Sequence, residues 1–462
     1  MTNQAIASYL PDLLVIKLGK DLPAFNDYKN PRGLVGPHEI GYFFHEWIHF
    51  FHNVSTIHGL SAFANLVHLW GHARYAMGED GLCRGAPSIS NQENTWLHQK
   101  FAFSRAERSQ RQNNAPGNII FENVTVTKVE LLEFPLPELT VTTQIIKAEL
   151  KIENESGEFF DMSVEVGPHE IVESVACMLE ERLTRKLGAE PRPLEFAPYH
   201  LLRALAKKIA PSITDECVLA CGLAALQESD PPTVLVDILK RAEQACSAGE
   251  DVMHLINETL IRLLSDSKDW VEERLVELES RFPNDEPMGR AIKSTVEVFR
   301  RNFAHRRKNP LVEFWLVDVI KADVNNLTEI IKVFGDCTVQ QQRDGFEDDV
   351  GRDILVEFVL PENDDELLRD GRRRMHAAFR FVALHAGPGG KLLATSEIPV
   401  TRRNVCPYYT TCVLKPRTEN PSVCAETPWL VRDEQCWYES GVLTLCTPDV
   451  AALRVSTMPQ RT

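Results

Sequence analysis

A helix-rich α+β fold is what the sequence predicts, on three observations. The stretch from Pro37 to Leu60 is apolar and aromatic on nearly every side, which marks a buried helix. Between 118 and 166 the pattern switches to alternation rich in Val, Ile and Thr, which marks a small antiparallel sheet. From about 190 to 345 apolar residues recur at helical spacing, which marks a long run of amphipathic helices.

Taken in order, Leu13 to Leu18 reads as a short strand ended by Gly19, and Asn26 to Gly33 as loop. Pro37 suits the first turn of the helix that follows, because its missing N–H is not needed there. Glu39 adds a favourable charge in that turn, and Gly59 is the expected stop. Tyr42, Phe43, Phe44, Trp47, Ile48, Phe50 and Phe51 surround His45-Glu46-Trp47-Ile48-His49. Two imidazoles four residues apart project from one helix face. Such a pair can grip one zinc ion and leave the intervening Glu46 free to act on a metal-bound water. Buried polar groups must be satisfied; a metal would do it, and so would hydrogen bonds within an ordinary core helix. His38 and His52 continue the stripe at seven-residue spacing and read as supporting or cleft residues rather than ligands.

Residues 60–77 predict a second apolar helix, with His68 and His72 again four apart. Residues 79–117 are polar and rich in Gly, Pro and Asn, as in a lid-like insertion. The sheet follows, from strands at 118–121, Val124 to Phe134, Thr140 to Ile152 and Phe159 to Val166, with a turn at Asn154 to Gly157. Gly167-Pro168-His169-Glu170-Ile171 repeats the Gly-Pro-His-Glu-Ile of residues 36–40 and opens another helix. Ile171, Val175, Met178, Leu179 and Leu183 form its apolar stripe. Residues 346–400 predict a strand, a charged helix and a Gly-rich turn at 387–390. The last region concentrates Cys406, Cys412, Cys424, Cys436 and Cys446. Such cysteines can staple a poorly cored tail with a second metal or remain free thiols; no C-x-x-C pair decides between them.

The 462 residues carry a net charge of −16, spread along the chain. That argues against non-specific binding to nucleic acid or anionic membrane. No stretch reaches the roughly 18 apolar residues of a membrane helix, and no secretory leader pattern stands at the start. Eleven scattered cysteines without such a leader point to a reducing, cytoplasmic setting. Oligomeric state is not legible.

The His45–His49 sequence resembles the zincin superfamily of zinc metallopeptidases. Together, HEWIHFFHN…IHGL and the later HEIVESVA are similar to a group of bacterial metallopeptidase-like proteins. The resemblance covers about a third of the chain. It implies His45 and His49 as zinc ligands and Glu46 as the general base for peptide hydrolysis. In the gluzincin branch the third ligand is a Glu on a second helix, commonly with a small residue three positions on, as in Glu173-Ser174-Val175-Ala176. Glu170, His169 and the His68/His72 pair are the alternatives. The metzincin branch wants Gly and His where this chain has His52 and Ser55. Zincins also place a Tyr or His near the metal as an oxyanion stabiliser, which points to Tyr199 or His200. Their sheet lies beside the active-site helix, and its edge strand holds an extended substrate.

The expected organisation is a zincin-like metallopeptidase domain at 1–225 with a β-rich insertion at 118–166, a helical region at 226–345, and a small mixed region with clustered cysteines at 346–462. The expected function is zinc-dependent proteolysis of a specific intracellular protein or peptide. The alternative is a zincin-fold metal-binding regulatory or interaction protein that does not cut.

Overall fold

Periodicity becomes structure as follows in the computed structural model, which describes residues 6–446 except 12, 26–32, 86–96, 98, 102–103, 110–120, 136–141, 154–156, 283–285, 344–351, 359–365, 388–390, 399–405 and 434. The expected loop at 26–32, most of the lid-like insertion, the strand start at 118–120 and the turns at 154–156 and 388–390 lie outside the described residues.

Two short strands, β1 (Ala7–Leu10) and β2 (Val15–Leu18), precede the buried helix α1 (Pro37–Asn53) and its neighbour α2 (Ile57–Tyr75). The expected sheet is β3 (Val124–Pro135), β4 (Thr142–Glu153) and β5 (Phe159–Val166). Then come α3 (Pro168–Lys186), α4 (Leu201–Ile209), α5 (Asp215–Ala225), α6 (Pro231–Ser247), α7 (Val252–Asp266), α8 (Lys268–Ser280), α9 (Pro287–Lys308), α10 (Val312–Val319) and α11 (Val324–Phe334). The chain closes with β6 (Thr338–Gln341), β7 (Ile354–Glu357), α12 (Glu366–His385) and three short helices, α13 (Lys415–Glu419), α14 (Pro421–Glu426) and α15 (Trp437–Leu443). The protein is therefore helix-rich α+β. Among the described residues no helix is long and apolar enough to cross a membrane.

Gly59 does not stop α1. That helix ends at Asn53, and Thr56 caps α2 by accepting the Gly59 N–H at 3.0 Å while its hydroxyl donates to His52 O at 2.8 Å. Gly59 sits where a Cβ would lie 2.4 Å from His52 O and 2.5 Å from Asn53 Cα. The tight α1–α2 corner needs the missing side chain.

α1 is the axis of the molecule. α3 crosses it closely at Gly41, where a Cβ would stand 2.8 Å from Thr184 Oγ1. Trp47 Nε1 donates to Gly335 O at 3.0 Å, and Phe43 stacks on Phe358 with ring centroids 4.8 Å apart. Beyond the C-terminal half of α1 lies a buried ion network. His52 Nε2 contacts Glu313 Oε1 at 3.1 Å, and the Arg306 guanidinium bonds both oxygens of Glu313 at 2.7 and 3.1 Å as well as Ser55. Arg306 and Glu313 are fully buried.

There are two sheets among the described residues. β3-β4-β5 is antiparallel throughout. The second runs β1-β2-β6-β7, with β2 and β6 parallel and the other pairs antiparallel. It joins the first 20 residues to strands beyond residue 337. One buried apolar cluster runs from Leu14 to Leu445, so the stretches divided by sequence at 225 and 345 share a core rather than each having its own.

Candidate metal centre and its cleft

The helical spacing of His45 and His49 sets both rings on one face of α1, and the close crossing at Gly41 brings α3 against it. Glu173, in the second turn of α3, then meets both histidines. Its Oε2 lies 3.3 Å from His45 Nε2 and 3.4 Å from His49 Nε2. All three donor atoms fall within 4.8 Å of one another. A tetrahedral zinc with N and O ligands at about 2.0–2.1 Å has donor–donor edges of about 3.3–3.4 Å, which is the spacing of Glu173 Oε2 from each imidazole nitrogen. Among the described residues the buried His49 Nε2 has no hydrogen-bond partner, since its contact with Glu173 is too poorly aligned to be one. An orphaned imidazole nitrogen in a two-nitrogen, one-carboxylate cradle fits a zinc ion.

Glu180 completes the cradle, and sequence reasoning missed it. His45 Nδ1 lies 2.9 Å from Glu180 Oε2. With Nδ1–H donating to this carboxylate, the His45 Nε2 lone pair faces Glu173 and the centre. The signal was present: Glu173 and Glu180 are seven residues apart, two turns along one face of α3.

Burial alone would raise the Glu173 carboxyl, but the adjoining His49 and His45 hold it well below the usual carboxylate range. Glu46 differs. Burial raises its pKa, only partly opposed by His45 and His49, and among the described residues no group donates a hydrogen bond to it. It stands beside the three donors with its carboxylate uncommitted.

The centre lies in a cleft of about 480 Å³ that Glu46, His45, His49 and Glu173 all line. One wall is Ala7, Ser8 and Tyr9 of β1, with Tyr9 stacked over His49 at 6.3 Å. Ser104, Arg105 and Glu107 form another. Glu170 ties that segment down: its Oε1 accepts from Arg108 N at 2.6 Å and Ser109 N at 3.1 Å. Its Oε2 accepts from Gly167 N at 2.8 Å. So committed, Glu170 is not drawn into the ligand set.

The remaining expected residues separate clearly. Tyr199 lines the cleft with its ring 6.1 Å from that of His45. The Ser174 hydroxyl donates to Pro198 O at 2.7 Å and accepts from Leu202 N at 3.3 Å, which fixes the Tyr199 segment to α3. Burial, then the charges of Glu173 and Glu46, push the Tyr199 phenol up, so it stays protonated. His200 points elsewhere: it lies with Cys177 and Glu181 on another face of α3 and does not line the cleft. That trio offers three donors, but Arg203 bonds both Glu181 oxygens at 3.0 and 2.7 Å and already neutralises the carboxylate. His169 is a cleft residue outside the triad. His68 contacts Glu277 at 3.2 Å, and neither it nor His72 lines the cleft. His52 belongs to the Arg306 network and His38 stacks on Tyr42.

The sheet expected beside the active-site helix also differs. Among the described residues none of β3, β4 or β5 lines the cleft; the strand there is β1. In comparisons with known proteins, no family model, curated protein or solved structure matches the chain.

Proposed function

We propose that the protein is a zinc-dependent metallopeptidase of zincin type, with the gluzincin ligand set His45, His49 and Glu173. The observation that carries this is the 3.3 and 3.4 Å spacing of Glu173 Oε2 from the two imidazole nitrogens, with Glu46 beside them in an open cleft. Zinc bound there would supply Lewis acidity, making a water acidic near neutrality and polarising a peptide carbonyl.

The chain's own groups supply the rest. Glu46, with no hydrogen-bond donor to it among the described residues and raised by burial, takes the proton of the attacking water and returns it to the leaving amine. Tyr199, a protonated phenol at the cleft wall, donates to the developing oxyanion. Glu180 keeps His45 in the tautomer that presents Nε2.

β1 supports a peptide as the substrate. Its inner partner is β2, with Gly19 N donating to Ile6 O at 2.8 Å. The antiparallel alternation then turns the backbone groups of Ala7 and Tyr9 away from β2, and both residues line the cleft. An extended chain can pair there as an added strand. A specific protein in the cytoplasm as substrate is the part of the proposal that rests on the sequence alone. A metal-binding protein that does not cut needs no such access, so the cleft favours the peptidase over that alternative.

The test uses the full chain with one equivalent of zinc and a quenched fluorescent peptide library, cleavage being read by mass spectrometry. Glu46→Gln should keep the zinc of the cleft and abolish cleavage, and His45→Ala should hold one equivalent of zinc fewer than the wild type. Full cleavage by Glu46→Gln would sink the mechanism.

A further inference from the structure

Outside the cleft, in the last part of the described chain, four cysteines come near one another. Cys406, Cys412, Cys424 and Cys436 follow one another with 5, 11 and 11 residues between them. They come from separate short segments: the turn at 406–412, α14, and the residue that precedes α15. Cys406 N donates to Cys424 O at 2.9 Å, which ties two of these segments together. Each of the four sulfurs is near enough to each of the others that, ionised, it would repel it. None of the four is in a disulfide.

The backbone around them is turned toward sulfur. Leu414 N donates to Cys412 Sγ at 3.5 Å. The Tyr408 amide lies toward Cys406, and the Tyr438 and Glu439 amides toward Cys436, each favouring the ionised thiol against burial. In all three cases an amide two residues after the cysteine is the one turned to it. An N–H aimed at sulfur does little for a neutral thiol, a weak acceptor, and much for a thiolate. Burial raises all four thiols, so without a cation they are neutral; neighbouring sulfurs with amides turned toward them suit a bound cation that would hold them as thiolates. The surroundings add a reason for a staple: α13, α14 and α15 span only 5, 6 and 7 residues, too short to hold themselves without packing or a cross-link.

We propose that Cys406, Cys412, Cys424 and Cys436 together bind one thiolate-ligated metal centre, separate from the cleft, that fastens the C-terminal segments. No three of the sulfurs lie within 4.8 Å of one another, whereas a zinc–tetrathiolate with bonds of about 2.3 Å has edges of about 3.8 Å. A zinc ion therefore requires the side chains to turn inward, while an iron–sulfur cluster, which spreads its four cysteines wider, requires less. Either way each thiol releases a proton to solvent as it binds. The centre does not depend on the peptidase reading, since none of these cysteines lines the cleft.

The experiment uses the full chain carrying His45→Ala, purified anaerobically without chelator, so that metal left on the protein is not held by the histidine pair. Elemental analysis should find one equivalent of zinc, or iron with acid-labile sulfide and visible absorption, and X-ray absorption should show a sulfur-only first shell. Cobalt loading should give sulfur-to-cobalt charge-transfer bands. Adding Cys412→Ser should remove the metal, and adding Cys446→Ser should not. Should Cys412→Ser fail to fold, the absorption shell and cobalt bands of the His45→Ala protein still decide. A His45→Ala protein that holds neither zinc nor iron and shows no sulfur–cobalt bands, or that contains a disulfide between two of the four, overturns the proposal.

Discussion

Glu180 fixes the proton on His45 Nδ1 at 2.9 Å, and removing its charge tests that orientation directly. Glu180→Gln is expected to weaken zinc about 10–100-fold, measured by competition with a chelator, with activity returning as zinc is added. Unchanged affinity would mean the contact does not orient the ring. Tyr199→Phe keeps the ring against His45 and removes only the donor. If the phenol stabilises the oxyanion, kcat falls about 100-fold with KM little changed. An unchanged kcat would assign Tyr199 to packing. At the corner behind His49, Gly59→Ala forces a Cβ onto the backbone of α1 and should cost about 2 kcal/mol, read by urea denaturation.

At the level of elements, α1 is held in place from behind by an ion network that the cleft does not reveal. Arg306 and Glu313 are fully buried and His52 nearly so. Removing one member strands the others, so Glu313→Gln should destabilise by about 3–5 kcal/mol and shift the denaturation midpoint accordingly. The same carboxyl gives a pH dependence. Burial would raise its pKa, but Arg306 and His52 lower it from an ordinary 4.5 to about 2. Its stabilisation is therefore present in full above about pH 4.5 and is lost as pH falls from there toward 2. Wild type should lose stability steeply across that window, and Glu313→Gln should lose less. Parallel acid profiles would show that Glu313 is not the group responsible.

Elements with strong periods were legible in the sequence. α1, α2, α3 and β3–β5 fall close to where spacing and alternation put them, and His45, His49 and Glu173 could be named because the histidines sit in a recognisable pentapeptide and Glu173 in a recognisable tetrapeptide. The boundary between α10 and α11 is not legible, since the break at Ile320 to Asp323 carries no Gly or Pro. β1 and β6 were missed for a different reason. Four residues are too few to show a period, and Thr338-Val339-Gln340-Gln341 is half polar. It is buried because Gln341 accepts from Ala24 N and Phe25 N at 2.9 and 3.3 Å, bonds that exist only once distant segments meet.

Those distant meetings decide how far the molecule can be divided. The unit that the sequence suggests, ending at residue 225, keeps His45, Glu46, His49 and Glu173, and it looks sufficient there. In the fold it is not. β2 pairs with β1 on one side and with β6 on the other, so truncation exposes the inner edge of the strand that supports the cleft wall. Trp47 loses Gly335, Phe43 loses Phe358, and His52 and Ser55 lose Glu313 and Arg306. Each loss falls on α1 or the corner that follows it, the element that carries both histidines. Burying an aromatic side chain contributes roughly 1.5–3 kcal/mol, and a domain's whole margin is about 5–15 kcal/mol, so several such losses on one helix exceed what the remainder can absorb. A chain ended at residue 225 is thus expected to show no cooperative urea transition and to bind zinc far more weakly than the full chain. If it instead unfolds cooperatively and retains one equivalent of zinc, the later helices and strands are accessories to an independent domain rather than the back of the same core.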